Sequence, residues 1–204
     1  MAKYSDNTIA NAKEILEIPK EKVLIYDIET TGLGVGDSEI LKITIIDGNG
    51  KELFNKLMKP ETVKFWKAAQ QVNHISNDMV ADKKYFKDYA KEIYSIFAAA
   101  DLIVGYNHIE FDNVFIQYNL LKNNIRIDLN DKRNFDVMFN QNRIDYEHYE
   151  CDDYFGISYR TLSNTCSCYD IEFTLDTKVE CTRQCFYKQL EEFTKEPETD
   201  ETNE

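Results

Sequence analysis

The segment that most restricts the fold lies between residues 38 and 59, where a four-residue turn joins two apolar runs. The runs read SEILKITIID and KELFNKLMK, and the turn between them is Asp-Gly-Asn-Gly. Such a turn between alternating apolar segments is the strongest short-range signal of a β-hairpin. The sequence therefore predicts two neighbouring antiparallel strands early in the chain.

Further strands and helices alternate around this hairpin. The apolar run that begins at Lys22 and the run DLIVGYN (101–107) predict buried strands. Thr8 is the expected cap of the first helix. A hairpin followed by a strand-helix crossover makes an α/β domain with a mixed sheet, antiparallel and parallel, flanked by helices. Helical spacing occurs in the segments 8–16, 62–71, 85–100, 110–124, 159–169 and 176–193.

The composition predicts one domain. The 204 residues are 43% hydrophobic, which suits one sizeable core. The last segment, TKEPETDETNE, has no apolar residue, so we expect a domain over 1–193 and an acidic disordered tail over 194–204. The sequence has no apolar run of about 18 residues and no recognisable leader, which favours a cytoplasmic protein without membrane contact.

The net charge of −13 excludes one common way of binding nucleic acid. A broad basic surface needs clustered Lys and Arg to neutralise phosphates. Any contact with nucleic acid is therefore expected to be local or mediated by metal.

Two acids end the first strand, and a third follows the later one. Asp27 and Glu29 are two residues apart, so the alternation of a strand directs both side chains to one face. Like charges so close raise each other's pKa or require a cation. Asp112 lies in the first turn of a helix after the strand end at Tyr106. From position alone, these acids also fit ordinary structural roles. Asp27 and Glu29 could cap the amides of a loop, and Asp112 could stabilise a helix N-terminus.

Taken together, these segments resemble the DEDD family of 3′-to-5′ exonucleases, of the epsilon proofreading-subunit type. YDIETTGL is similar to the first family motif, QQVNHISNDMVADKKYF to the segment that follows, and VGYNHIEFDNVFI to the second motif. FDVMF and YRTLSNTCSCYDIEF resemble later family segments, and the likeness extends from about residue 8 to 193. It implies an RNase H-like fold and hydrolysis of single-stranded DNA or RNA from the 3′ end, with two Mg²⁺ or Mn²⁺ ions.

The resemblance also implies roles for individual residues. Asp27, Glu29 and Asp112 correspond to three of the four metal-binding acids, whose carboxylates suit hard divalent cations. Other positions correspond to the pocket for the terminal nucleotide or its surroundings: Thr30, Thr31, Leu33, Asn107 and Phe111.

The last family motif is degenerate in this chain. Lys178 stands where the family has its fourth Asp, and Phe173 stands five residues earlier, where the family has a general-base His. Lys178 either replaces the charge of a metal ion within the carboxylate cluster or faces solvent. A shifted register would instead bring Asp176 into the site. Two weaker substitutes are His148 and the segment 149–153, which has the spacing of the family's tyrosine branch.

Two classes of function follow. One is a metal-dependent exonuclease whose activity is weakened by the missing Asp and His. The other is a catalytically inactive exonuclease-fold protein that binds nucleic acid or, as the acidic surface favours, a protein partner. The orientation of Lys178 is the feature that separates them.

The cysteines allow one rival metal site. Five cysteines without a leader indicate reduced thiols. Cys166, Cys168, Cys181 and Cys185 could hold Zn²⁺ through four thiolates, although small core residues are the simpler interpretation. His74 and His108 are expected in the core or at the edge of the pocket.

Overall fold

The computed structural model describes residues 4–149 and 159–195, within which five strands form one mixed sheet. The strands are β1 (Val23–Thr30), β2 (Ile40–Asp47), β3 (Glu52–Leu57), β4 (Leu102–Gly105) and β5 (Arg133–Asp136). They lie in the order β3-β2-β1-β4-β5. The pairs β1–β2 and β2–β3 are antiparallel, whereas β1–β4 and β4–β5 are parallel. The predicted mixed sheet is therefore confirmed.

The helices of the described residues flank both faces of this sheet. They are α1 (Asp6–Leu16), α2 (Lys67–Asn73), α3 (Asn77–Val80), α4 (Phe86–Ala99), α5 (Asp112–Lys122), α6 (Val137–Tyr149), α7 (Leu162–Ser167) and α8 (Lys178–Thr194). A 3-10 turn at Leu175–Thr177 leads directly into α8.

The turn between β2 and β3 forms as predicted from its residues. Asp47 is buried, and its Oδ1 accepts hydrogen bonds from the backbone N–H groups of Asn49 at 2.9 Å and Lys51 at 3.0 Å. Gly50 has φ of 85°, a conformation that glycine adopts without steric cost. The antiparallel hairpin thus has its register fixed by its own turn.

Alternate residues of β1 face two different cores. Val23 and Ile25 pack with residues of α1 and α8, whereas Leu24 packs with residues of α4 and α5. Asp27 and Glu29 continue the series of Val23 and Ile25, because residues two apart share a face of a strand. Both carboxylates therefore stand at the end of the sheet face that α8 covers.

Several details differ from the prediction. Helix α6 lies outside the segments in which the sequence shows helical spacing. The cap of α1 is Ser5 rather than Thr8, and the Ser5 Oγ accepts a hydrogen bond from the Thr8 N–H at 3.3 Å. Helix α2 begins at Lys67 rather than at residue 62, because Trp66 is buried and donates its indole N–H to the Ile75 carbonyl at 2.8 Å. Helix α3 was not predicted.

Helix α8 extends to Thr194, the first residue of the predicted tail, and residues 196–204 lie outside the described residues. The boundary between domain and tail thus stays a prediction. In the described ranges, no helix is long and apolar enough to cross a membrane.

Candidate active site

The carboxylates of Asp27 and Glu29 meet the ammonium group of Lys178. Lys178 is the first residue of α8, and its Nζ lies 2.5 Å from Glu29 Oε1 and 3.8 Å from Asp27 Oδ2. All three side chains are at least two-thirds buried. The β1–β2 register shifts between Glu29 and Thr30, an irregularity of the kind that often re-aims side chains beside active sites. Of the two orientations open to Lys178, the structure shows the one that points into the cluster.

Asp112 brings a third carboxyl group to the same place from the opposite side of β1. It is the first residue of α5 and is only 5% exposed. Its Oδ1 accepts a hydrogen bond from the backbone N–H of Ile28 at 2.9 Å, which ties α5 to β1 between Asp27 and Glu29. The next residue, Asn113, accepts a hydrogen bond from the Tyr26 hydroxyl at 2.7 Å. These two bonds fix the acid-bearing end of α5 against the strand.

The pKa values of Asp27, Asp112 and Lys178 are all raised, for different physical reasons. Burial raises the pKa of Asp27 to about 6, although Lys178 acts to lower it. Burial, together with the charge of Asp27, raises the pKa of Asp112 well above its usual range. Burial alone would lower the pKa of Lys178, but the neighbouring carboxylates outweigh it, and that pKa is raised. The cluster thus holds a charged lysine beside two carboxyl groups that resist ionisation.

A cavity of about 470 Å³ opens beside the cluster, and we call it the terminal cavity. Its floor includes Asp27, Glu29, Asp112 and Lys178. Each of the five residues expected near the terminal nucleotide also lines it: Thr30, Thr31, Leu33, Asn107 and Phe111. Their presence in the lining agrees with the roles that the family resemblance implies for them. The remaining lining comes from Ile28, Gly32, Tyr106 and helix α2.

The threonines of this wall use their hydroxyl groups to hold the turn after β1. The Thr30 hydroxyl donates to the Gly32 carbonyl at 2.6 Å, and the Thr31 hydroxyl accepts from the Glu39 N–H at 2.9 Å. Leu33, in contrast, is 85% exposed. The turn therefore offers a ligand the apolar side chain of Leu33, whereas the Thr30 hydroxyl proton is already used within the turn.

Asn107 owes its position to a residue that the sequence did not single out. Asn107 has φ of 58°, a left-handed conformation in which Asn is enriched. Its backbone N–H donates to Asp136 Oδ1 at 3.0 Å, and the same oxygen accepts from the Met138 N–H at 3.0 Å. Asp136 thus joins the turn after β4 to the start of α6. Its place in FDVMF, at the end of a strand, was the available signal.

A second wall residue, Asn73, was also missed. It is the last residue of α2, and its side-chain amide donates to the Thr30 carbonyl at 3.0 Å. This bond attaches α2 to the end of β1. The QQVN segment was recognised only as similar to a family segment, because sequence spacing alone does not bring α2 to β1.

The structure describes Phe173 and Asp176 but not all of the proposed substitutes for the missing acid and His. Phe173 packs against the core on the α8 side of the sheet. Asp176 is exposed and lines a neighbouring cavity that it shares with Glu29, not the terminal cavity. The His148 side chain and residues 150–153 fall outside what the structure describes. Phe173 and Lys178 therefore remain departures from the family pattern, and the replacement of the acid by Asp176 remains a prediction.

Four of the five cysteines lie in the described residues, and three of these are buried in the packing around α8. The Cys166 and Cys185 thiols are buried 3.7 Å apart, whereas Cys168 is exposed. Burial raises the pKa of the Cys166 thiol to about 11. Within residues 4–149 and 159–195, no group of three or more His, Cys, Asp or Glu side chains is placed to hold a metal ion. The zinc alternative thus has no site in the described residues.

The two histidines occupy the kinds of position that were expected. His108 is fully buried, with Nε2 3.0 Å from Asn134 Oδ1, whereas His74 lines the cavity next to the terminal one.

Comparison with known proteins supports the family resemblance. The RNase T exonuclease family matches residues 24–176, about three quarters of the chain. The 3′-5′ exonuclease DinG of Bacillus subtilis (strain 168) is 30% identical over 107 residues, which are 50% of this chain and 11% of that protein. The chain therefore spans about a tenth of the length of this curated relative.

Solved structures of exonuclease I share the fold. A product-bound structure has a TM-score of 0.70 at 19% identity, over 83% of this chain and 43% of that chain. E. coli exonuclease I in complex with a dT13 oligonucleotide has a TM-score of 0.67 at 17% identity, over 83% of this chain and 40% of the other. The chain thus spans about two fifths of exonuclease I, and the predicted RNase H-like fold is confirmed. Because the family match covers well over half of the chain, this protein belongs to the RNase T exonuclease family of DEDD 3′-to-5′ exonucleases.

Proposed function

We propose that this protein binds the 3′ end of single-stranded DNA or RNA and hydrolyses it only weakly. The observation that carries the proposal is the terminal cavity, which joins the residues expected around a terminal nucleotide to an acidic cluster in which Lys178 is in contact with Glu29. The dT13 complex of the similarly folded exonuclease I supports single-stranded nucleic acid as the ligand class.

The terminal cavity suits a base and a sugar. Its volume of about 470 Å³ is in the range of ligand sites. Leu33 and Phe111 supply apolar and aromatic surface, on which a base can stack without regard to its identity. Asn107, held in place by Asp136, contributes an amide for polar contact at the opposite wall. These residues orient the last nucleotide so that its phosphodiester lies at the carboxylate cluster.

Proteins of this family typically depend on divalent metal ions, and Mg²⁺ or Mn²⁺ would be the cofactor here. The residues as arranged do not fit a pair of such ions. Glu29 is in direct contact with the Lys178 ammonium, and Asp112 is buried with one oxygen bonded to a backbone N–H. A lysine offers three donors and no acceptor, so it contributes charge but no ligand to a metal. Weak hydrolysis follows from this donor set.

Degradation of a 5′-labelled oligonucleotide tests the proposal. Single-stranded DNA and RNA are incubated separately with Mg²⁺ or Mn²⁺, beside the variants Asp27→Ala and Lys178→Asp. We expect a faint ladder from the 3′ end for the wild type, none for Asp27→Ala, and a stronger ladder for Lys178→Asp, which returns an acid to the fourth position. Lys188→Asp, an exposed change further along α8, is the matched control.

Two results would contradict parts of the proposal. Efficient degradation by the wild type would mean that an acid such as Asp176 completes the site. Binding of the oligonucleotide without any ladder would favour the second candidate, an inactive exonuclease-fold protein. That candidate depends on the 2.5 Å contact between Lys178 and Glu29. A folded protein that fails to bind the oligonucleotide would contradict both.

A further inference from the structure

A second cavity, of about 570 Å³, lies next to the carboxylate cluster. We call it the lysine cavity, because Lys42, Lys56 and Lys83 line it. Glu29 and Asn73 line both this cavity and the terminal cavity, so the two adjoin. None of the residues expected around the terminal nucleotide belongs to it.

The charge of this cavity contrasts with that of the whole chain. The chain has 24 basic and 37 acidic residues, and a polyanion is repelled by most of its surface. The acids in the cavity lining are Glu29 and Asp176, and Glu29 is already paired with Lys178. Three lysines thus line the cavity, and Asp176 is the one acid of the lining that is not paired with Lys178. This is the kind of local basic contact that an acidic protein needs if it is to hold phosphates.

One of the three lysines has an acidic partner. The Nζ of Lys83 lies 2.9 Å from Asp82 Oδ1, with the two side chains 39% and 78% exposed. Such an exposed pair is weak, because solvent screens the charges and both side chains lose conformational freedom in forming it. A phosphate can therefore compete with Asp82 for this ammonium.

Paired residues of β1, β2 and β3 connect the terminal cavity with the lysine cavity. Glu29 in β1 lies opposite Lys42 in β2, and Lys42 lies opposite Leu57 in β3. These residues share one face, so a strand that leaves the carboxylate cluster past Glu29 comes next to Lys42. Tyr89 adds an aromatic ring to the same lining, on which a base can stack.

We propose that the lysine cavity binds the phosphodiester backbone of a single-stranded nucleic acid whose 3′-terminal nucleotide occupies the terminal cavity. This inference rests on the proposed function and adds the path of the chain beyond the last nucleotide. Lys42, Lys56 and Lys83 contact successive phosphates, and the site reads no sequence.

Binding of a fluorescent dT12 oligonucleotide, followed by anisotropy in EDTA, tests the path without hydrolysis. The double variant Lys56→Gln/Lys83→Gln is compared with Lys13→Gln/Lys188→Gln. The control removes the same charge and likewise combines an exposed lysine with one in an exposed ion pair, at Lys188–Glu191. Lys42 is left intact because its charge acts on Asp27. Circular dichroism confirms that both variants are folded.

We expect the cavity variant to bind about three- to tenfold more weakly than the wild type, and the control to bind as the wild type does. The slope of log affinity against log salt should fall by about 0.7 for each phosphate that a lysine no longer neutralises. If the wild type binds and both variants match it in affinity and slope, the path is wrong while the proposed function stands. If the folded wild type does not bind dT12, the proposed function itself is wrong.

Discussion

At the scale of single residues, Lys178 determines the chemistry of the site. Two charges about 4 Å apart attract by about 4 kcal/mol at an effective dielectric constant near 20, before desolvation is subtracted. The Lys178 ammonium is within this distance of both Asp27 and Glu29. It lowers the negative charge of the cluster but supplies no ligand for a metal ion. This contact is the physical basis of the weak hydrolysis that we propose.

The raised pKa of Asp27 predicts a pH dependence of stability. The folded state holds this proton up to about pH 6, whereas the unfolded chain releases it near 3.8, so stability falls as the pH rises through this window. Asp27→Asn removes the titration. We expect the variant to have the larger free energy of unfolding. The difference from the wild type should increase by about 1 kcal/mol between about pH 5 and 7.5. Urea denaturation at several pH values measures it.

The exposed change Asp131→Asn is the control for this experiment, and it should show no such growth. A difference between Asp27→Asn and wild type that is constant across the pH range would contradict the prediction.

Removal of the Lys178 charge should destabilise the cluster and make it sensitive to metal. Lys178→Met keeps an unbranched side chain but leaves the acids without a counterion, which we expect to cost about 1–3 kcal/mol at pH 7. Mn²⁺ should then raise the melting temperature of the variant more than that of the wild type, because a ligand that binds only the folded state stabilises it. Thermal denaturation with and without Mn²⁺ measures both effects, and Lys188→Met is the control. Equal stability of Lys178→Met and wild type would refute this role.

At the scale of elements, the site depends on the junctions where β1, β4 and β5 end. The ends of β1 and β4 were predictable, because Asp27, Glu29 and Asn107 follow apolar runs whose alternation is clear in the sequence. Asp136 was not found, since RNFD is a short strand with only one fully apolar residue. Its function lies in contacts with Asn107, 29 residues away in the sequence, which spacing does not reveal.

The beginning of α2 shows a similar limit. The segment 62–71 has helical spacing, but the helix begins only after Trp66. The Trp66 side chain packs in a small cluster with Leu41, Ile75 and Val80. Local periodicity predicts a helix and its approximate place. Tertiary packing decides where it begins.

Asp136→Ala should separate positioning from general stability. Alanine removes the oxygen that accepts hydrogen bonds from the N–H groups of Asn107 and Met138. We expect a loss of about 1–3 kcal/mol in the free energy of unfolding. Oligonucleotide binding by folded protein should also weaken several-fold, because the Asn107 wall is no longer fixed. Anisotropy below the unfolding transition measures the second effect, and unchanged affinity would show that Asp136 has only a structural role.

At the scale of the whole molecule, one sheet serves two cores. The face toward α1 and α8 includes Phe135 and Phe186, which pack edge to face with centroids 4.9 Å apart. The opposite face includes Tyr26 and Phe97 in the same kind of contact, at 4.9 Å. Strand β1 contributes residues to both cores. We therefore expect that a variant in which one core unfolds also loses the other. Trp66 reports on neither large core, since it lies in the small cluster beside α2.

A cavity at Phe186 tests whether this coupling extends to the small cluster. Phe186 is fully buried, so Phe186→Ala should lower the free energy of unfolding by about 3–5 kcal/mol. We expect the urea midpoints of far-UV circular dichroism and Trp66 fluorescence to fall together, as a two-state transition requires. Phe65→Ala, at a residue 88% exposed, should leave both midpoints nearly unchanged. A Trp66 transition that stays in place while the dichroism transition shifts would mean that α2, and with it one wall of the terminal cavity, unfolds independently of the sheet.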